Sequence, residues 1–172
     1  MGSESNPGQS RDTSDALAGV SDALARIASS TEGCVIGLGV LARASMGTPA
    51  AQLASDLAEE LRGVVSTTRF VGVALGLLSE GPPRRSTCER LRWEWVASTG
   101  ALLDGDPRSR LVAECGAVLD RARVAAERLV VALAAAEAPG FVHAAAQLER
   151  RLESASRRLV AAGEGERTVA AT

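Results

Sequence analysis

Arg123 stands where a charge is least expected. It falls in a run of otherwise apolar or small positions, Val112, Gly116, Leu119, Ala126, Val130 and Leu133, spaced by three and four. A guanidinium on such a face must be paired or must look into a polar cavity. Thr31, Thr68 and Ser98 interrupt other apolar stripes. Together with Arg123 they would outline a small anion-binding pocket between helices. Such a pocket would suit a small-molecule binding protein, or a lyase- or isomerase-type enzyme that needs neither metal nor nucleophile. The plainer expectation is that Arg123 reaches an edge and each hydroxyl bonds the preceding turn of its own helix.

Other chemistry lacks its parts. Gly33, Gly37 and Gly39 lie within a helical stripe, and all 19 basic residues are arginine, so no lysine completes a phosphate-binding loop. The single histidine, His143, cannot supply the Glu-x-x-His pairs of a di-iron bundle. It lies off its helix's apolar stripe, which predicts a surface residue. Cys34, Cys88 and Cys115 are too widely spaced for zinc, and each sits on an apolar stripe as a small hydrophobe. No catalytic residue, metal or cofactor is expected. The acidic group Asp56, Glu59 and Glu60 and the cluster Glu149, Arg150, Arg151 and Glu153 read as solvated faces. Arg84, Arg85, Arg90 and Arg92 are interleaved with Glu89 and Glu94, an ordinary charged surface.

Trp93 and Trp95 are the chain's two tryptophans. Residues two apart on a helix point to nearly opposite sides, so only one can enter the core. Trp95 shares a stripe with Cys88, Leu91, Ser98 and Leu102. That leaves Trp93 on another face as a candidate interface anchor. Gly33 and Gly37 join it as interface candidates, through a small-residue stripe of Gly19, Ala23, Arg26, Ser30, Gly33, Gly37, Val40 and Ala44. That stripe would seat either the fifth helix of the same chain or another subunit.

The elements that must position these residues follow from the same spacing. Leu17, Val20, Leu24, Ile27, Thr31, Cys34, Leu38 and Leu41 recur once per helical turn, as do Ala50, Ala54, Leu57, Leu61, Val64, Thr68, Val71, Leu75 and Leu78. A second stripe in the fourth helix runs Leu111, Cys115, Val118, Ala122, Ala125, Leu129 and Ala132, making that helix the most enclosed. The fifth carries Phe141, Ala145, Leu148, Leu152, Ala155, Leu159 and Ala162. Helices are predicted over about 14–45, 49–79, 86–104, 107–137 and 140–162. Asp12, Thr13 or Ser14 would cap the first, and Ser29–Glu32 interrupts it only as a kink. Short links carrying Gly47-Thr48-Pro49 and Gly105-Asp106-Pro107 make neighbours antiparallel. The fold class is all-α: an antiparallel up-and-down bundle of four to five helices with heptad-like packing. Residues 13–163 form one domain between disordered tails at 1–12 and 164–172. Around the first turn Gly19 should oppose Gly76 and Ala23 should oppose Gly72; around the third, Trp95 should oppose Gly116.

Composition supports this architecture. The chain has 172 residues, 46% hydrophobic but only 2% aromatic, with no tyrosine, so Ala, Leu and Val fill the core. One domain of this size can bury roughly 70% of its unfolded-state surface. Arginine without lysine, beside abundant Ala and Gly, is read as the codon usage of a GC-rich bacterial genome. A net charge of −2 argues against nucleic-acid binding. Residues 1–15 carry no apolar signal core, and no uninterrupted apolar run reaches the ~18 residues of a membrane span. The functional expectation is a cytoplasmic, non-enzymatic interaction or scaffold module that associates with itself or with a helical protein partner.

Overall fold

The structure, a computed structural model, describes the backbone of residues 7–77, 86–103 and 105–170 and the side chains of 14–77, 91–103 and 105–163. Among them are five helices and no strand: α1 (Pro7–Ala44), α2 (Pro49–Ala74), α3 (Ser86–Leu103), α4 (Pro107–Ala135) and α5 (Pro139–Ala170). This is an all-α bundle. α1 packs on α2 and α4, and α5 closes the ring by packing on the other sides of α2 and α4. α3 lies outside that ring, against α1 and α4. Cys34 opposite Cys115, and Gly19 opposite Ala132, set α1 and α4 antiparallel.

The three-four stripes bury as their spacing dictates in four of the five helices. Val20 to Leu41 of the α1 stripe, Ala54 to Val71 of α2, Leu111 to Leu129 of α4 and Ala145 to Leu159 of α5 face one continuous core. Each fully buried leucine there contributes about 1.5–3 kcal/mol. α1 runs unbroken through Ser29–Glu32. It begins at Pro7, and α5 reaches Ala170, so helix extends into both stretches expected to be tails; residues 1–6 and 171–172 lie outside the described residues. Asp12, Thr13 and Ser14 are therefore interior to α1 and not its caps.

α3 departs from expectation by half a turn of roll. Trp93 and Val96 are buried, while Leu91, Trp95, Ser98 and Leu102, the stripe expected inside, face out. The cause is steric. A Cβ built at Gly37 would lie 2.7 Å from the Trp93 ring, so the indole sits directly on the α1 backbone. A Cβ at Gly100 would lie 2.7 Å from Arg110 Cβ and 3.1 Å from Pro107 Cα, so α3 also meets α4 through a residue with no side chain. These two glycines select the buried face. Arg92 pairs with Glu114 of α4 and places its guanidinium 4.9 Å from the Trp93 ring centre, holding that roll.

Two expected glycine pairings also fail. Gly76 is not inside α2 opposite Gly19 but is its stop, at φ +68°, with Leu77 N–H donating to Gly72 O at 2.8 Å and Gly76 N–H to Val73 O at 2.9 Å. That pair of bonds satisfies the last carbonyls, and the left-handed residue between them favours glycine. Gly19 instead faces Ala132, its built Cβ 3.7 Å from that methyl, and Gly116 has no Trp95 against it. The small stripe of α1 thus receives α3 and α4, and among the described residues no Cα of α1 comes within 8 Å of a Cα of α5.

The two proline-led starts differ in chemistry. Thr48 precedes α2 but makes no side-chain cap; its hydroxyl donates to Ser45 O at 2.7 Å. Asp106 caps α4 fully, accepting from Arg108 N–H at 3.0 Å and Ser109 N–H at 3.3 Å. Partial burial works to raise the Asp106 pKa. The Arg108 and Ser109 hydrogen bonds and the Arg108 charge outweigh it and hold the carboxyl below its ordinary value. A depressed folded-state pKa means stability that is present above the unfolded carboxyl value and lost as pH falls through the folded one. Asp106→Ala should therefore cost about 1 kcal/mol at pH 7. In urea titrations its deficit against the parent chain should shrink steadily below about pH 4, the ordinary carboxylate range.

Candidate functional site

The four residues expected to line a pocket are dispersed. Arg123 is 33% exposed and forms an ion pair with Glu127 one turn along its own helix. A partly exposed pair of this spacing needs no cavity. Ser98 is exposed on α3 and donates to Glu94 O at 2.9 Å, the local bond that lets a serine sit in a helix. Thr31 and Thr68 are both fully buried in the α1–α2 seam, level with the Glu32–Arg69 ion pair at 2.6 Å. Thr68 donates to Val64 O at 2.8 Å, whereas Thr31 Oγ1 has no hydrogen-bond partner. A cavity between Leu41, Ala54, Val112 and Leu159 holds about 10 Å3, room for a single water, and Arg123 forms no part of its wall. The expected anion pocket is therefore not assembled.

The interface candidates are brought together, but inside the chain. Trp93 is fully buried on Gly37, and Gly33 is buried one turn before it on α1. Trp93 serves the α1–α3 contact and offers no anchor to a partner. Its Nε1 has no hydrogen-bond partner, a cost of about 1–3 kcal/mol that ring burial must exceed. The roles of the two tryptophans are exchanged relative to the sequence reading. The signal that could have separated them is Gly100, which marks the close-packed face of α3 seven residues from Trp93.

What remains exposed is a row. Leu91, Trp95 and Leu102 are 59%, 67% and 85% exposed, with Ser98 between them, at spacings of four, three and four along α3. They lie on one side of a helix whose other side is spent on α1 and α4. Leu103 is exposed beside the row, and elsewhere Phe70 and Val73 on α2, Val124 and Val131 on α4 and Val160 on α5 are exposed in ones and twos, which is ordinary for a protein surface.

Charged groups elsewhere do structural work. Arg158 of α5 pairs with Glu60 of α2 at 2.8 Å, and Arg151 lies over Gly63 and donates to Glu60 O at 3.4 Å. These residues pin α5 to α2, beyond the solvated faces expected of them. Glu153 and Arg157 do pair within α5, at 3.8 Å. His143 is exposed and shares a hydrogen bond of 2.9 Å with Gln147, as a surface histidine should. Cys34 and Cys115 are buried free thiols, while the side chains of Cys88, Arg84, Arg85 and Arg90 lie outside the described residues. Among the described residues no cluster of three or more His, Cys, Asp or Glu is arranged to hold a metal ion.

The fold and this surface define an all-α bundle that turns one helical row outward. No family model, curated protein or solved structure matches the chain.

Two stability experiments follow from this geometry. Gly37→Ala should destabilise the protein by about 1–3 kcal/mol despite alanine's better helix propensity, because the new methyl meets a rigid ring. In a Trp93→Ala background the same change should stabilise, a reversal that a urea double-mutant cycle reads directly. Thr31→Val should stabilise by about 1 kcal/mol through removal of an unbonded hydroxyl, whereas Thr68→Val should bring no gain; both are measured by urea denaturation.

Proposed function

We propose that the chain is a non-enzymatic interaction module that associates with a second copy of itself through the outward row of α3. The observation that carries this reading is the exposure of Trp95 and Leu102 on one face of a helix already anchored on its other face. In a chain with two tryptophans and no tyrosine, keeping one indole in water is expensive unless something covers it. The four-three-four spacing is that of the seam between paired helices, and an α-helix bearing the same row is a fitting partner. A second α3 supplies one.

Area sets the expected strength. Taking on the order of 200 Å2 for a large apolar side chain, the three residues expose roughly 400 Å2 per copy. That is within the range of patches that are commonly functional, and two copies would bury about twice as much. Such an area fits a weak, reversible contact. The pairing of Arg123 with Glu127 removes the support for an enzymatic or small-molecule reading centred on that residue.

The proposal includes a protein partner, no nucleic acid and a cytoplasmic site of action without a membrane span. By length and composition alone, α1 over Ser14–Ala44 is apolar enough to cross a membrane. Half of its most apolar window is buried against other helices, so the core accounts for much of that hydropathy.

Light scattering and sedimentation test the association. The parent chain should pass from monomer to dimer as its concentration rises through about 10–500 μM, the affinity range of a small interface. Trp95→Ser combined with Leu102→Glu should remain monomeric with unchanged helicity and melting temperature. A parent chain that stays monomeric throughout, or a double variant that still dimerises, overturns the reading.

A further inference from the structure

The α1–α4 seam holds two thiols that the interaction surface does not use. Cys34 lies on α1 between Gly33 and Gly37, and Cys115 is followed on α4 by Gly116; all five are buried. The Cys34 thiol approaches Cys115 O to 3.9 Å across the seam. Farther along the same seam a Cβ built on Gly19 lies 3.7 Å from Ala132 Cβ, so α1 and α4 run close together there as well. The two cysteines also sense each other chemically. A hydrogen bond with the Cys34 thiol raises the Cys115 pKa, burial adds to the rise, and the Cys34 and Glu114 charges reinforce it against the opposing Arg92.

We infer that Cys34 and Cys115 are a latent disulfide that locks α1 to α4 when the protein meets an oxidant of the disulfide class. In the first step one thiol loses its proton and its sulfur attacks an oxidised low-molecular-weight disulfide, forming a mixed disulfide and expelling one thiolate. The second cysteine, deprotonated in turn, attacks the first cysteine's Sγ in the mixed disulfide, closes the Cys34–Cys115 bond and expels the remaining external sulfur as the other thiolate. Two cysteine thiols are oxidised, one external disulfide is reduced to two thiols, and the two protons pass to the leaving sulfurs.

Both thiols are fully buried, so reaction waits on opening of the α1–α4 seam. The Cys115 thiolate is also disfavoured while the pair stays closed. The lock therefore forms slowly and forms faster as pH rises. Once formed, it ties residues 81 positions apart and narrows the unfolded ensemble accordingly. It operates independently of the α3 surface.

The test uses the full chain and a Cys88→Ala version of it, incubated with oxidised glutathione at pH 7 and pH 9. Peptide mapping should show a single cross-link between the segments carrying residues 34 and 115, forming faster at pH 9. The cross-linked chain should melt about 10 °C higher than the reduced one, and a reductant should abolish the gain. Cys34→Ala and Cys115→Ala should show neither change. Glutathione adducts or intermolecular links without the 34–115 bond would overturn the inference, and so would a cross-linked chain that melts no higher than the reduced one. The parent chain's own cross-link map keeps the test decisive if either alanine variant folds poorly.

Discussion

A hydrogen atom where α1 has no side chain, at Gly37, determines which side of α3 the protein shows to water. The Trp93 indole fills the space that any Cβ would occupy and thereby commits the opposite side of α3, with Leu91, Trp95 and Leu102, to the surface. Gly100 repeats the device against α4. Two absent methyl groups thus set the roll of a whole helix. The outward row exists because the inward face was won by a better steric fit, not because α3 lacks apolar residues.

The remaining architecture is held by a ring in which each helix meets its antiparallel neighbours, with register set by polar links between helices. Glu32 with Arg69 ties α1 to α2, Glu60 with Arg158 ties α2 to α5, and Arg92 with Glu114 ties α3 to α4. Exposed ion pairs contribute little stability individually. Their value here is positional: an Ala/Leu/Val core could slide by a turn without losing much area, and a charged pair at the rim penalises that slip. Arg151 shows the same economy, its guanidinium lying over Gly63 where a side chain would block it.

Much of this was legible in the residues. The stripes of α1, α2, α4 and α5 read correctly because each helix has one face richer in large apolar side chains than any other. α3 did not, since its two faces carry comparable apolar content and the choice between them rests on the contact of Trp93 with Gly37, 56 positions earlier, which no local spacing reveals. Arg123 misled for a related reason. Its stripe neighbours are apolar, but Glu127 four residues later was the more relevant neighbour, and the helix face at that position is partly open. Gly76 looked like an interior glycine because the apolar period continues through Leu78; the end of α2 is marked by chain geometry that periodicity does not record. Cys34 and Cys115 were recognisable as core residues, yet nothing in their spacing said that they meet.

The exchange of roles between Trp93 and Trp95 has a spectroscopic consequence. With no tyrosine in the chain, ultraviolet emission comes almost wholly from two indoles in opposite settings, one sealed beneath a guanidinium and one bathed in solvent. A collisional quencher such as iodide reaches the second and not the first. The protein therefore carries separate optical reporters for the integrity of its interior and for the solvent exposure of its outer helix face, without any added label.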